Sequence, residues 1–205
     1  MNDTSSYWLS SQMSISFSAY EDRLVLRAER GEHGVVSVLL TRRMVMIILQ
    51  QLLTGLPTLT GLSKTPAQYW QEVLQMSHQH AMQVKSDADK AKAQTPNVAS
   101  QPQIQPQAQA TSAHQAIYLA TELTVQTGEK QLILAFKGLP MPQAMVTPSP
   151  HEAIFATPLQ IDHVHQLLQL LITKSQEAQW HLPLELPWME SPVPQPESLS
   201  ISSTH

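Results

Sequence analysis

Cysteine is absent from the 205-residue chain, which removes disulfides, thiol nucleophiles and thiolate metal sites together. Charge is scarce as well, with 14% Asp, Glu, Lys and Arg against roughly a quarter in ordinary globular chains. The charge that exists sums to −4, so no global field draws the chain to nucleic acid or to an anionic membrane surface. Only six glycines occur, and none forms a cluster able to cradle phosphate. No serine sits in a G-x-S-x-G elbow, the strained turn that exposes a nucleophile. The opening MNDTSSYWLSSQ has neither a basic n-region nor a long apolar h-region. It predicts a cytoplasmic protein with residues 1–12 as a flexible N-terminus. Leu, Gln, Pro and Met are plentiful instead, and a low-charge chain with greasy segments predicts a component of an assembly.

An uninterrupted apolar run of membrane-spanning length is also missing. The closest approach is VVSVLLTRRMVMIILQQLLTGL, from Val35 to Leu56. A spanning helix needs about 20 consecutive apolar residues, and Arg42 and Arg43 interrupt this one. The stretch divides into a strand, Val35–Leu40, and a helix over 41–55 that Thr41 caps through its hydroxyl. Gly55 and Pro57 are stop signals for that helix. Met44, Val45, Ile48, Leu49 and Leu52 fall on more than one side of it, and a helix apolar all round is covered all round. These five residues, with Trp188 in the Pro-rich tail, are the candidate interface with a protein partner or a second copy.

Before this stretch, MSISFSAYED alternates Ile15, Phe17 and Ala19 with serines, the period of a half-buried strand. RLVLRAERGEHGVVSVLL continues as a hairpin turning at Gly31–Gly34. After it, Thr65 and Pro66 open a second helix with a stripe of Trp70, Val73, Leu74, Ala81 and Val84, which should fray beyond Lys85. Residues 94–115 are Gln, Pro and Ala without apolar periodicity, the composition of a disordered linker. The pattern then returns: two strands around Thr127–Lys130, a third in HEAIFATPL, and a helix over 160–176. Placing Leu40 on Leu159 aligns Val45 with Val164, Leu49 with Leu168, Gln50 with Gln169 and Leu52 with Leu171. The chain therefore reads as α+β: an antiparallel β-meander-plus-helix unit occurring twice by internal duplication, with helices on one sheet face. Its parts are 13–93 with the additional helix, the linker, 116–182, and a Pro-rich tail over 183–205.

The nine histidines raise metal binding as a possibility. His78 with His80, and His163 with His165, are spaced i,i+2, and such residues do not face each other on a helix. Helical zinc pairs are spaced i,i+4, so these histidines read as solvent-facing, with no metal and no cofactor expected. Glu21, Asp22 and Glu152 offer carboxylates, but the first two are ordinary turn residues, and no enzyme is expected. Arg23, Arg27, Arg42 and Arg43, with Arg30 nearby, form a candidate basic strip on the first sheet.

The order of strands closed by a helix, carried by the step VVSVLLTRRMVMIILQQLL, resembles the repeat of Whirly and PUR-type single-stranded nucleic-acid binders. That resemblance implies a curved sheet presenting basic and aromatic residues, here Phe17, Tyr20, Tyr118 and Phe136, to bases and backbone. Single-strand binding wants a positive groove with stacking platforms, and the negative net charge places this reading second. Association with proteins, as a subunit, adaptor or assembly factor, stands first.

Overall fold

A computed structural model describes residues 7–94, 116–184 and 186–189. The expected linker lies outside this set apart from its first residue, as does most of the tail. The fold is α+β, with a six-stranded mixed sheet and three α-helices. Strands β1 (Met13–Ser18), β2 (Arg23–Glu29) and β3 (Val35–Leu40) form one antiparallel meander. Strands β4 (Ala116–Thr127), β5 (Leu132–Met141) and β6 (Glu152–Leu159) form the other. The two meanders join along β3 and β4, which run parallel with Val36 opposite Ala116 and Leu39 opposite Leu119. The sheet is thus not antiparallel throughout. A parallel pair needs a long crossover, and here it contains helices α1 (Arg42–Leu59) and α2 (Trp70–Gln94).

Of the residues assigned to a flexible N-terminus, Trp8, Ser10 and Gln12 are hydrogen-bonded to the sheet instead. Ser10 donates its backbone N–H to the carbonyl of Ala156 in β6 at 2.9 Å, and the Ala156 N–H returns to Trp8 at 2.8 Å. Two residues later, the carbonyl of Gln12 accepts from Glu29 of β2 at 3.1 Å. The chain from Ser10 to Gln12 can span only about 7 Å. In a flat sheet β2 and β6 would lie roughly 19 Å apart at about 4.8 Å per strand. The sheet must therefore curl until its first and last strands meet, joined by a short parallel bridge at Leu9 and Ala156. Closure hides edges that would otherwise recruit other strands.

The curl encloses a core of Ile15, Leu24, Leu26, Val36, Val38, Leu40, Leu134, Phe136 and Phe155, all buried. Phe136 and Phe155 stack with ring centroids 5.0 Å apart. Gly138 is required where β4 shifts register between Ala120 and Glu122. A Cβ there would lie 2.2 Å from the carbonyl oxygen of Leu119.

Thr41 caps α1 as its residue type demands, accepting from the Met44 N–H at 3.2 Å. The helix does not stop at Gly55, however. Its buried Leu56 and partly buried Leu59 hold one further turn against the core. Pro57 costs that turn one donor, and Thr60 closes it through its N–H and hydroxyl on the Leu56 carbonyl. Gly55 lets α1 lie close on the sheet, since a Cβ would fall 2.4 Å from Leu132 Cδ1. Helix α3 (Ile161–Glu177) packs against β1, β6, α1 and α2. Its end is held by Trp180, whose indole N–H donates to Asp22 at 2.8 Å, and by Arg42, which donates to the His181 carbonyl at 3.3 Å.

Candidate functional site

Helix α2 forms an outer layer. Leu74, His78 and Ala81 recur at i, i+4 and i+7, so they share one side of the helix, and that side meets α3. Ala81 is fully buried, and its carbonyl accepts from the Gln166 side chain at 3.1 Å. The helix continues to Gln94 rather than fraying at Lys85. Its last turns are rich in Ala, Lys and Gln, which are strong helix formers, and Gln83–Asp87 and Asp87–Lys90 contacts add i,i+4 and i,i+3 support.

At this seam three rings meet. His78 of α2 and His165 of α3 lie 5.5 Å apart between centroids, and Trp188 lies 5.7 Å from the first and 5.6 Å from the second. All three contacts are edge-to-face, the arrangement aromatic quadrupoles prefer. Trp188 belongs to a 3-10 turn, Pro187–Met189, inside the segment read from composition as a Pro-rich tail. The rings are shut away from water: His165 is 0% exposed and His78 6%. Neither ring nitrogen of His165 has a hydrogen-bond partner, nor does Nδ1 of His78. Burial lowers the proton affinity of His165 to a pKa of about 4, the charge of His78 adds to the effect, and Asp162 opposes it. His78 is also lowered by burial, opposed by its hydrogen bond with Gln169. Desolvation thus dominates at both, because it penalises the charged imidazolium.

The i,i+2 pairs split as helix geometry requires: His78 and His165 point inward while His80 and His163 point outward. The expectation of solvent-facing histidines is therefore corrected for the inner two. The signal was present in phase, since His78 continues the Leu74–Ala81 side, and His165 stands three residues before Leu168. No group of three or more His, Asp or Glu able to hold a metal ion occurs among the described residues. His80 instead approaches Asp162 at 3.5 Å on the surface.

Elsewhere, Thr121, His151 and Glu122 imitate a hydroxyl–imidazole–carboxylate relay on the sheet. The Thr121 hydroxyl lies 3.4 Å and the Glu122 carboxylate 2.8 Å from the same nitrogen, Nδ1 of His151. A relay needs the two partners on opposite ring nitrogens, so this arrangement cannot pass a proton from one to the other.

The candidate interface residues Met44, Val45, Ile48, Leu49 and Leu52 all lie in the core of this single chain, and Trp188 is buried in the ring cluster. The second apolar side of α1 is covered by the chain's own sheet and α3. Of the basic strip, Arg23 and Arg27 share the outer face of β2 with Val25 and Glu29, while Arg42 and Arg43 open α1 and Arg42 is engaged with His181. Phe136 is inside the core, Phe17 packs against it, and the Tyr118 hydroxyl donates to Glu152 at 3.0 Å. Only Tyr20 of the candidate stacking residues is fully exposed. The structure does not gather these groups into one platform.

What it does expose is the outward side of α2. Met76 and Val84 are exposed and Val73 is half-buried, at spacings that put them on one side of the helix away from His78, and Tyr69 is exposed in the 3-10 turn just before it. The stripe read as one face is thus two: Leu74 and Ala81 inward, Val73 and Val84 outward. Among the described residues no helix is long and apolar enough to cross a membrane. The chain matches no family model, no curated protein and no solved structure.

Proposed function

We propose that the protein works without catalysis, by associating with a protein partner through the outward side of α2. The observation that carries this reading is the row Val73, Met76 and Val84, with Tyr69 just before it, beside the side of α2 that is already packed on α3. Met76 is 69% exposed, and methionine adapts readily to irregular partner surfaces. The row flanks the exposed His80, which lies between Met76 and Val84, and exposed apolar groups gathered on a protein surface mark contact sites. The test is purification of the native protein from its own cells beside a Met76→Glu, Val84→Glu double variant. A stoichiometric partner held by the native chain and lost by the folded variant supports the reading. A native chain that is monomeric and alone, or a variant that keeps the partner, defeats it.

Single-stranded nucleic-acid binding is the second reading, favoured by Arg23 and Arg27 on the outer face of β2. Retention on single-stranded DNA that falls steeply with salt, and is lost on changing both arginines to Ser, would establish it over the first.

We also propose that the two strand–helix units arose by duplication. The shift that carries Leu40 onto Leu159 carries the cap Thr41 onto the cap Gln160 and the helix start Arg42 onto Ile161. Val45, Leu49 and Leu52 and their counterparts Val164, Leu168 and Leu171 are all completely buried.

A further inference from the structure

We propose that α2, with the Pro187–Met189 turn, is a clasp on α3 that stays shut only while His78 and His165 are uncharged, and that proton uptake by this pair opens it. The inference is independent of the association reading, because it concerns the inward side of α2.

The geometry leaves few alternatives for these rings. His165 is sealed from solvent with both nitrogens unpartnered, and its nearest ring neighbours are another imidazole and an indole, each set edge-to-face with it. An orphan N–H in such a place loses its water without replacement. An imidazolium there would carry two unpartnered donors and a full charge, and a second proton on His78 would sit one ring away. The surroundings cannot absorb that charge. On α3, Asp162 is the closest carboxylate acting on His165, but its oxygen is 3.5 Å from His80 at the surface. From α2, the titratable neighbours are His78 and His80, and Gln169 of α3 bonds His78 as a neutral amide. The 187–189 turn has no ionisable side chain, and neither has β1. In α1 the charged residues are Arg42 and Arg43, both exposed, and in β6 the single one is Glu152, bonded to Tyr118. A carboxylate poised for a buried ion pair is therefore lacking among the described residues facing the cluster.

The remaining way to accommodate a proton is to separate the layers. That route is local, because the α2 layer rests on α3 and the 187–189 turn, and of the clasp only Leu74, Trp188 and Met189 reach the core shared by the sheet, α1 and the inner side of α3. Opening would bare His165, Trp188 and the α3 side around Gln166 while the sheet stays folded. For each proton taken up on opening, the open-to-closed ratio grows about tenfold per pH unit below the ordinary histidine range.

The test uses the full chain between pH 7.5 and 4, with histidine ring NMR and amide hydrogen exchange followed together. Protection of amides 74–82, corrected for intrinsic exchange, should fall about tenfold per pH unit for each proton taken up below roughly pH 6 until it is lost, while β2, β3 and β5 amides, which start better protected, remain protected at that pH. A His78→Leu, His165→Leu double variant should keep α2 protected at pH 5. The proposal is overturned if the two ring resonances titrate at the ordinary value with α2 still protected. Loss of protection in α2 and the sheet at the same pH overturns it too, as does a folded double variant that opens like the native chain. The ring and amide titrations of the native chain decide the matter even if the variant does not fold.

Discussion

Helices α1 and α2 are both amphipathic by sequence, yet they use their surroundings in opposite ways. Along α1 one broad side is enclosed, with Val45, Leu49 and Leu52 at 0% exposure, while Met46, Ile47 and Leu53 are half-buried and Gln50 and Gln51 face out. Helix α2 is longer, and among its described side chains only those of His78 and Ala81 are buried. Hydrophobic stabilisation scales with apolar area removed from water, so α1 is the keel of the fold and α2 an attached layer. The comparison shows why apolar content alone misassigns roles. The helix with more hydrophobic residues is spent on the chain's own interior, and the helix with fewer keeps some of its own outside.

The largest expected effect tests the first half of that contrast. Leu49→Ala removes a fully enclosed side chain from α1 and should cost about 3–4 kcal/mol, read from denaturant unfolding. Leu168→Ala, its counterpart in α3, should cost nearly the same, because its site is as completely buried. Leu74→Ala in α2 should cost clearly less. A loss at Leu74 equal to that at Leu49 would break the distinction between keel and layer.

A smaller effect comes from protons. Because His165 in the folded chain has its pKa lowered to about 4 from 6.5, the unfolded chain holds more protons between those values. Stability is then complete above about pH 6.5 and is lost as pH falls towards 4, with a slope of roughly 1.4 kcal/mol per pH unit for one histidine. By pH 5 the native chain should have lost about 2 kcal/mol, and His165→Leu should flatten this part of the profile.

Smaller again is the anchor of α3. Asp22 accepts from the Trp180 indole and sits at φ 49°, a left-handed conformation that Asp tolerates better than most residues. Asp22→Ala loses the acceptor and the tolerance together and should cost about 1.5 kcal/mol. Asp22→Asn, which keeps both, should cost less than half of that.

How much of this was legible in the sequence follows from the range of the interactions. Thr41 as a cap, the alternation in Ile15–Phe17, and the strand-to-helix step at Leu159 are local, and each is where residue chemistry places it. The parallel junction of β3 with β4 and the return of Trp8–Ser10 to β6 are pairings between distant segments of unremarkable composition. Alternation specifies which face a strand buries and not which strand lies beside it. The extra turn past Gly55 and Pro57 was hidden for a related reason: packing of Leu56 and Leu59 outweighed two local stop signals. For the ring cluster the difficulty was different. His78 and His165 count as polar in any pattern of hydrophobicity, so their phase with Leu74 and Leu168 was visible only if histidine was allowed to be a core residue. Trp188 sat in a proline-rich stretch whose composition concealed one anchored turn.

The smallest expected effect is the one that bears most on function. Met76 lies on the outward side of α2 with little packing to lose, so Met76→Glu should alter stability by less than about 0.5 kcal/mol. Glutamate is as good a helix former as methionine, and Glu72, four residues earlier, adds at most a few tenths of a kcal/mol of like-charge repulsion. A thermal melt unchanged within those limits, with altered mass in solution or a partner released, would separate the outward side of α2 from the fold entirely. A melt lowered by 2 kcal/mol or more would mean that Met76 packs against the chain itself, and the exposed row would no longer be available as a contact site.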